Sequence, residues 1–235
     1  MGAQWKNPVK VQNASKRSAI IGKLTKEIIV AAKIGDPNPD NNARLRAAVE
    51  SARKASVPRD TIERAIKKGA GLLEDTVTYE NIFYEGFGPH QVPVIVECLT
   101  DNKNRTAADI RVLFRKGQLG SIGTVGWMFD RLGVIEANHP EGNAKDPEEA
   151  AIEAGAQNVE KLPGQEGARF YTDPTDLDSV GRALTKAGWN ITVSEISFIA
   201  KNPVELAAEQ RKEVAEFFDE IDDHDDVHRL YVAMK

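Results

Sequence analysis

The hydrophobic repeat of this chain changes period once, near Gly71, and that change limits the fold to a helical head followed by a mixed body. Over residues 15–34 the apolar Ile20, Leu24, Ile28 and Ala31 recur at helical spacing, with Lys16, Lys23, Lys26 and Lys33 on the other half. That pattern predicts an amphipathic helix with a basic outer face. The stretch GDPNPDNN, residues 35–42, ends it and offers Asx side chains to cap the next helix. Leu45, Ala48, Val49, Ala52 and Ala55 carry a second stripe, Ser56, Val57 and Pro58 interrupt it, and Ile62, Ala65 and Ile66 mark a third helix closing at Gly69.

Beyond Gly71 strand-like runs occupy residues 82–84, 92–99, 169–172, 191–199 and 227–234. Helical patterns fall between them at 106–116, 147–154, 176–186 and 204–221. The body is therefore expected to be α+β, with small antiparallel or mixed sheets covered by helices. Residues 99–117 and 171–188 share a strand end, Thr-Asp, a helix and Arg-x-Leu-x-x-x-Gly. Two split βαβ units would produce this, and so would convergent helix-entry and helix-exit chemistry.

The head and body differ in charge as well as in period. The net charge of −5 combines 15 Lys/Arg against 8 Asp/Glu up to Thr76, or +7, with 16 against 28 in the remainder, or −12. Over residues 1–34 seven basic side chains face Glu27 alone, so the head reads as a surface for polyanions whose affinity falls with salt. Trp5 lies in that segment, where it could stack on an unpaired base or pack on its own domain. No apolar run reaches the roughly 18 residues of a membrane span, the start lacks a secretory core, and Cys98 has no partner cysteine. A cytoplasmic protein of two or three domains is expected.

Enzymatic signatures are mostly lacking. The glycines of GQLGSIGTVG, residues 117–126, do not have dinucleotide-binding spacing and read as a flexible connection, a phosphate cradle being the alternative. His224 and His228 stand four apart in DDHDDVH. On a helix they could share a metal, but Val227 already begins a strand pattern, so a solvated acidic helix end is expected. Cys98 reads as a buried thiol. TDNKNRTAAD, residues 100–109, brings Lys103 and Arg105 to a helix N-terminus, which suits an anion site or a polar cap equally. In PRDTIERAIKKG, residues 58–69, Asp60 and Glu63 begin and Lys67 and Lys68 end the helix as its dipole favours, and Glu63 and Lys67 are spaced as an ion pair. Base reading by this helix is weakly supported.

The segments GAQWK, GKLTKEIIVAAK, DPNPDNNARLRAAVESARKASVPRDTIERAIKKGAG, YEGFGP, VIVECLTDNKNRTAADIRVLFRKGQLG and DDVHRLYVAM together resemble the YebC family almost end to end. Bacterial members of that family are known as probable transcriptional regulators, and mitochondrial relatives include the translational activator of cytochrome c oxidase. The family usually opens Gly-His-Ser-Lys-Trp, where this chain has Gly2, Ala3, Gln4 and Trp5. The resemblance implies a three-helix domain over 1–76 and two ferredoxin-like α+β domains, one of 77–132 plus 201–235 and a third, 133–200, inserted within it. It also implies a role in gene expression through promoter DNA, or through ribosomal RNA near the peptidyl-transferase centre. The expected nucleic-acid contacts are Trp5, Lys6, Lys10, Lys16, Arg17, Lys23 and Lys26, then Arg59, Arg64, Lys67 and Lys68, then Lys103 and Arg105. They would touch phosphates and position the protein rather than specify bases. No catalytic residue, cofactor, metal, membrane or small-molecule substrate is expected.

Overall fold

The computed structural model describes residues 8–73, 78–139, 146–162 and 167–235. Three helices form the head: α1 (Pro8–Ile34), α2 (Ala43–Lys54) and α3 (Arg59–Gly69). Asn42 caps α2, its side-chain oxygen accepting from the Leu45 N–H while its amide donates to the carbonyls of Ala31 and Asp36. One side chain thus closes the end of α1 and opens α2. The buried Ile28, Ile29, Leu45, Val49, Ala52, Ile62 and Ala65 make a single core between the three helices.

Gly69 has a second function besides ending α3. A Cβ there would overlap the Ile29 carbonyl oxygen and sit 2.8 Å from the Ala32 Cβ, so only glycine lets α3 lie this close to α1. The turn is finished by Gly71 at φ +72°, with the Leu72 N–H donating to the Lys67 carbonyl at 2.9 Å.

The body contains β1 (Glu80–Phe87), β2 (Pro93–Thr100), α4 (Lys103–Leu113), β3 (Gln118–Leu119), β4 (Phe129–Asn138), α5 (Pro147–Ala154), β5 (Asn158–Lys161), β6 (Ala168–Thr172), α6 (Leu177–Lys186), β7 (Asn190–Ala200), α7 (Ala208–Asp222) and β8 (Val227–Val232). They build two antiparallel sheets, ordered β3-β1-β2-β8 and β5-β6-β4-β7. The second sheet has the βαββαβ connectivity of a ferredoxin-like fold. The first has the same spatial arrangement of strands, with β1 delivered by a hairpin to β2.

The two repeat-like segments are the helical arms of split βαβ units. β2-α4-β3 straddles β1, and β6-α6-β7 straddles β4. The pattern-based reading passed over β4, the central strand of the second sheet, because Asp130, Arg131 and Gly133 interrupt its apolar alternation. β4 runs continuously through position 132 and pairs along its length with β7, from Phe129 opposite Ala200 to Asn138 opposite Asn190. Ile95, Val125, Phe129, Tyr231 and Ala233 form a small core where the two sheets meet.

Gly69→Ala should destabilise the protein by about 1–3 kcal/mol through overpacking against α1. At an exposed helix position the same change would stabilise, so a raised denaturation midpoint would contradict this close approach.

Candidate nucleic-acid interface

The expected contacts divide into three groups in the structure. Trp5 and Lys6 lie outside the described residues, and Lys10 and Lys16 lie on α1 with side chains outside them. Arg17, Arg64 and Lys67 are exposed and Lys68 is half-buried. The remaining contacts are occupied within the molecule.

Lys23 and Lys26 do not project from an outer face; they are turned onto the body. The Lys23 ammonium donates to the Asp222 carbonyl and lies 3.4 Å from its carboxylate. Lys26 Nζ donates to Asp226 Oδ1 and the Asp225 carbonyl, both at 2.9 Å, and to the Leu99 carbonyl at 3.3 Å. The cause is at the far end of the chain. Helix α7 ends in acidic residues and has no basic residue in its last turn, so its negative dipole end and its carboxylates repel one another. Two lysines of α1 supply the missing cations. The acidic helix end expected to be solvated is therefore a docking site for the head.

Asp226 is the hub of that joint. It accepts from Lys26, from Arg105 at 2.8 Å and from the Thr106 hydroxyl at 2.9 Å, and its side chain is buried. Burial raises its pKa, but Lys26 and Arg105 with the Thr106 hydroxyl outweigh that and hold it at about 2.

The Lys103–Arg105 segment is a polar cap with its charges spent. Asn102 Oδ1 accepts from the Arg105 N–H, Lys103 pairs with Glu80, and Arg105 pairs with Asp101 as well as Asp226. On α3, Glu63 pairs with Arg59 at 2.7 Å instead of with Lys67. That leaves Arg64, Lys67 and Lys68, at i, i+3 and i+4, sharing one side of the helix without a carboxylate within 4 Å among the described residues. Arg53 and Lys54, exposed at the end of α2, are likewise without a carboxylate within 4 Å among the described residues. Sequence reading passed over these two because they look like ordinary helix-end cations.

His224 and His228 are turned to different elements. His224 Nε2 lies 3.3 Å from Asp109 on α4, whereas His228 Nε2 lies 2.9 Å from Glu27 on α1. Among the described residues no group of three or more His, Cys, Asp or Glu is placed to hold a metal. No helix among them is long and apolar enough to cross a membrane. Cys98 is fully buried, and burial pushes its thiol up to about 12.

Residues 117–126 do form a cradle of N–H groups, but the chain fills it. Glu85 accepts from Gly123 at 2.9 Å and from Val125 and Gly126 at 2.8 Å. Burial raises the Glu85 carboxyl and these three donors more than offset it, leaving it below the usual carboxylate range. The loop is thus a braced structure rather than a flexible connection or an open phosphate site.

Comparison with known proteins agrees with this architecture. The profile described as TACO1/YebC protein N-terminal domain matches residues 3–72, and that described as TACO1/YebC second and third domain matches 79–234. The chain belongs to the TACO1/YebC family. Among relatives, a Pseudomonas syringae pv. tomato protein is 54% identical over all of this chain and 99% of its own length. A Bdellovibrio bacteriovorus protein, Bd1964, is 52% identical over the full length of both. Each is named a probable transcriptional regulatory protein. The crystal structure of a conserved hypothetical protein, Aq1575 from Aquifex aeolicus, superposes with a TM-score of 0.78 at 39% identity, covering 94% of this family member and 90% of that chain.

Because the Asp226 pKa is depressed on folding, its stabilisation is present above about pH 4, the unfolded value, and is lost as pH falls towards 2. Asp226→Asn should cost about 2–3 kcal/mol at neutral pH and flatten that acid limb. A melting temperature equal to wild type at pH 7 would contradict the assignment.

Proposed function

We propose that this protein is a non-enzymatic regulator of gene expression that binds nucleic acid, DNA in the first instance, through phosphate contacts made by its helical head. The observation that carries the reading is the group of head cations that no internal ion pair occupies among the described residues, Arg17, Lys33, Arg53, Lys54, Arg64, Lys67 and Lys68 among them, on a part of the chain with a net charge of +7. Side chains of this kind release counterions from a nucleic-acid backbone and hold the protein on it without reading sequence. The acidic body, at −12, disfavours general wrapping by a polyanion and leaves contact to the head and to local edges of the body. The relatives' names support a role in transcription.

A second reading, a ribosome-associated translation factor acting through ribosomal RNA near the peptidyl-transferase centre, is favoured by one observation. The ring of Trp127 is exposed, and an exposed indole suits the unpaired bases of folded RNA better than a closed duplex.

Fluorescence anisotropy with a promoter duplex, a random duplex and a ribosomal RNA fragment, each across a salt series, tests both readings. Arg64→Glu, Lys67→Glu and Lys68→Glu together should weaken binding at least tenfold and reduce the magnitude of the log–log salt slope by about 2–3. Unchanged affinity and slope would remove the interface. Tighter binding to the promoter than to random duplex by orders of magnitude supports transcription, whereas preference for the RNA fragment supports the second reading.

A further inference from the structure

The loop over residues 120–126 is built at some cost to present side chains outward. A Cβ on Gly120 would lie 2.6 Å from Thr124 Oγ1, and Gly123 sits at φ +91°, so both positions require glycine. Glu85 consumes the three inward N–H groups, and the Thr124 hydroxyl donates to the Ser121 carbonyl at 2.7 Å. The backbone therefore has little left to offer a ligand. What it displays is Ile122, 89% exposed, and Trp127, 67% exposed. The polar edge of the indole is already used, since Nε1–H donates to the Thr124 carbonyl at 3.2 Å. Holding large apolar side chains in water on a rigid support is the arrangement of a binding surface.

We propose that Trp127, with Ile122 at the loop tip, is a stacking platform for an unpaired base of single-stranded nucleic acid. Two side chains cannot supply the roughly 800 Å² per partner of a stable protein interface, but one ring face suffices for a base. Ile122 suits the part of an apolar wedge beside it. The charge is complementary: Arg115 and Arg131 are exposed and make no ion pair among the described residues, while Lys116 pairs with Glu220 and Asp130 with Lys201. This inference rests on the nucleic-acid reading and places a base contact in the body, away from the phosphate contacts of the head.

The test is anisotropy titration of the full chain with a labelled 12-nucleotide oligouridine RNA, comparing wild type, Trp127→Ala and Trp127→Phe. Trp127→Ala should weaken binding roughly 5- to 150-fold with the salt slope unchanged, and Trp127→Phe should recover most of the loss. Thermal melts of all three should coincide, since the side chain is on the surface; Ile122→Ser gives an independent variant with a loss in the same direction. Trp127→Ala binding as tightly as wild type overturns the platform while leaving the head interface standing. Wild type with no affinity for the oligonucleotide at any salt, and none for the duplexes, overturns both. Loss of self-association in sedimentation, with RNA binding intact, assigns the tip to a second copy of the chain and also overturns the proposal.

Discussion

The arrangement of this molecule depends on how it neutralises the C-terminal end of α7. That end concentrates Asp222, Asp223, Asp225 and Asp226 where a helix already carries partial negative charge. Left to itself it would fray or repel the turn into β8. Lys23 and Lys26 of α1 meet it instead, and Arg105 of α4 completes the shell around Asp226. The same contacts fix the head on the body and consume cations that would otherwise face solvent. The interface we propose for nucleic acid draws on cations that remain on the head: Arg17 of α1, Arg53 and Lys54 of α2, and Arg64, Lys67 and Lys68 of α3.

A second group of charges ties the head to the first sheet and the first sheet to the second. Glu27 of α1 is buried against Arg44 of α2 at 2.8 Å and against His228 of β8, a contact too bent to be an aligned hydrogen bond, with His228 Nδ1 unpartnered. Burial pushes the Glu27 carboxyl up, and His228 and Arg44 more than reverse it, holding it far below the usual range. Next to this cluster Arg229 of β8 pairs with Glu195 of β7 at 2.7 Å, and Tyr231 donates to Glu97 of β2 at the same distance. Buried pairs of this kind add little net stability compared with an apolar core, but breaking one partner is costly. They act on the relative placement of the head and the two sheets more than on net stability.

Much of the fold was legible because it is written locally. The three head helices, α5 and α6, and the strands β2, β6 and β8 follow apolar periodicity and turn residues, and even the split βαβ repeat shows in the two Arg-x-Leu-x-x-x-Gly segments. Beyond local reach lay whatever depends on distant partners. Lys26 and Asp226 are 200 residues apart, so the basic side of α1 looked free. Glu85 is 38 residues from the first of the loop N–H groups it binds, so a braced loop looked flexible. Trp127 stood out neither by spacing nor by charge, and only its exposure reveals it. On α3 the choice of Arg59 over Lys67 as partner for Glu63 is a local competition between two equally spaced pairs, which spacing alone cannot decide.

The most direct test of this account is a double-mutant cycle on the joint between head and body. Lys26→Met, Asp226→Asn and the double variant would be compared with wild type by chemical denaturation at neutral pH. The account expects the two changes to be coupled by about 1–3 kcal/mol, the double variant being less unstable than the sum of the singles. Strict additivity would mean that Lys26 and Asp226 do not stabilise one another, and that the head is held on the body by something other than the acidic end of α7.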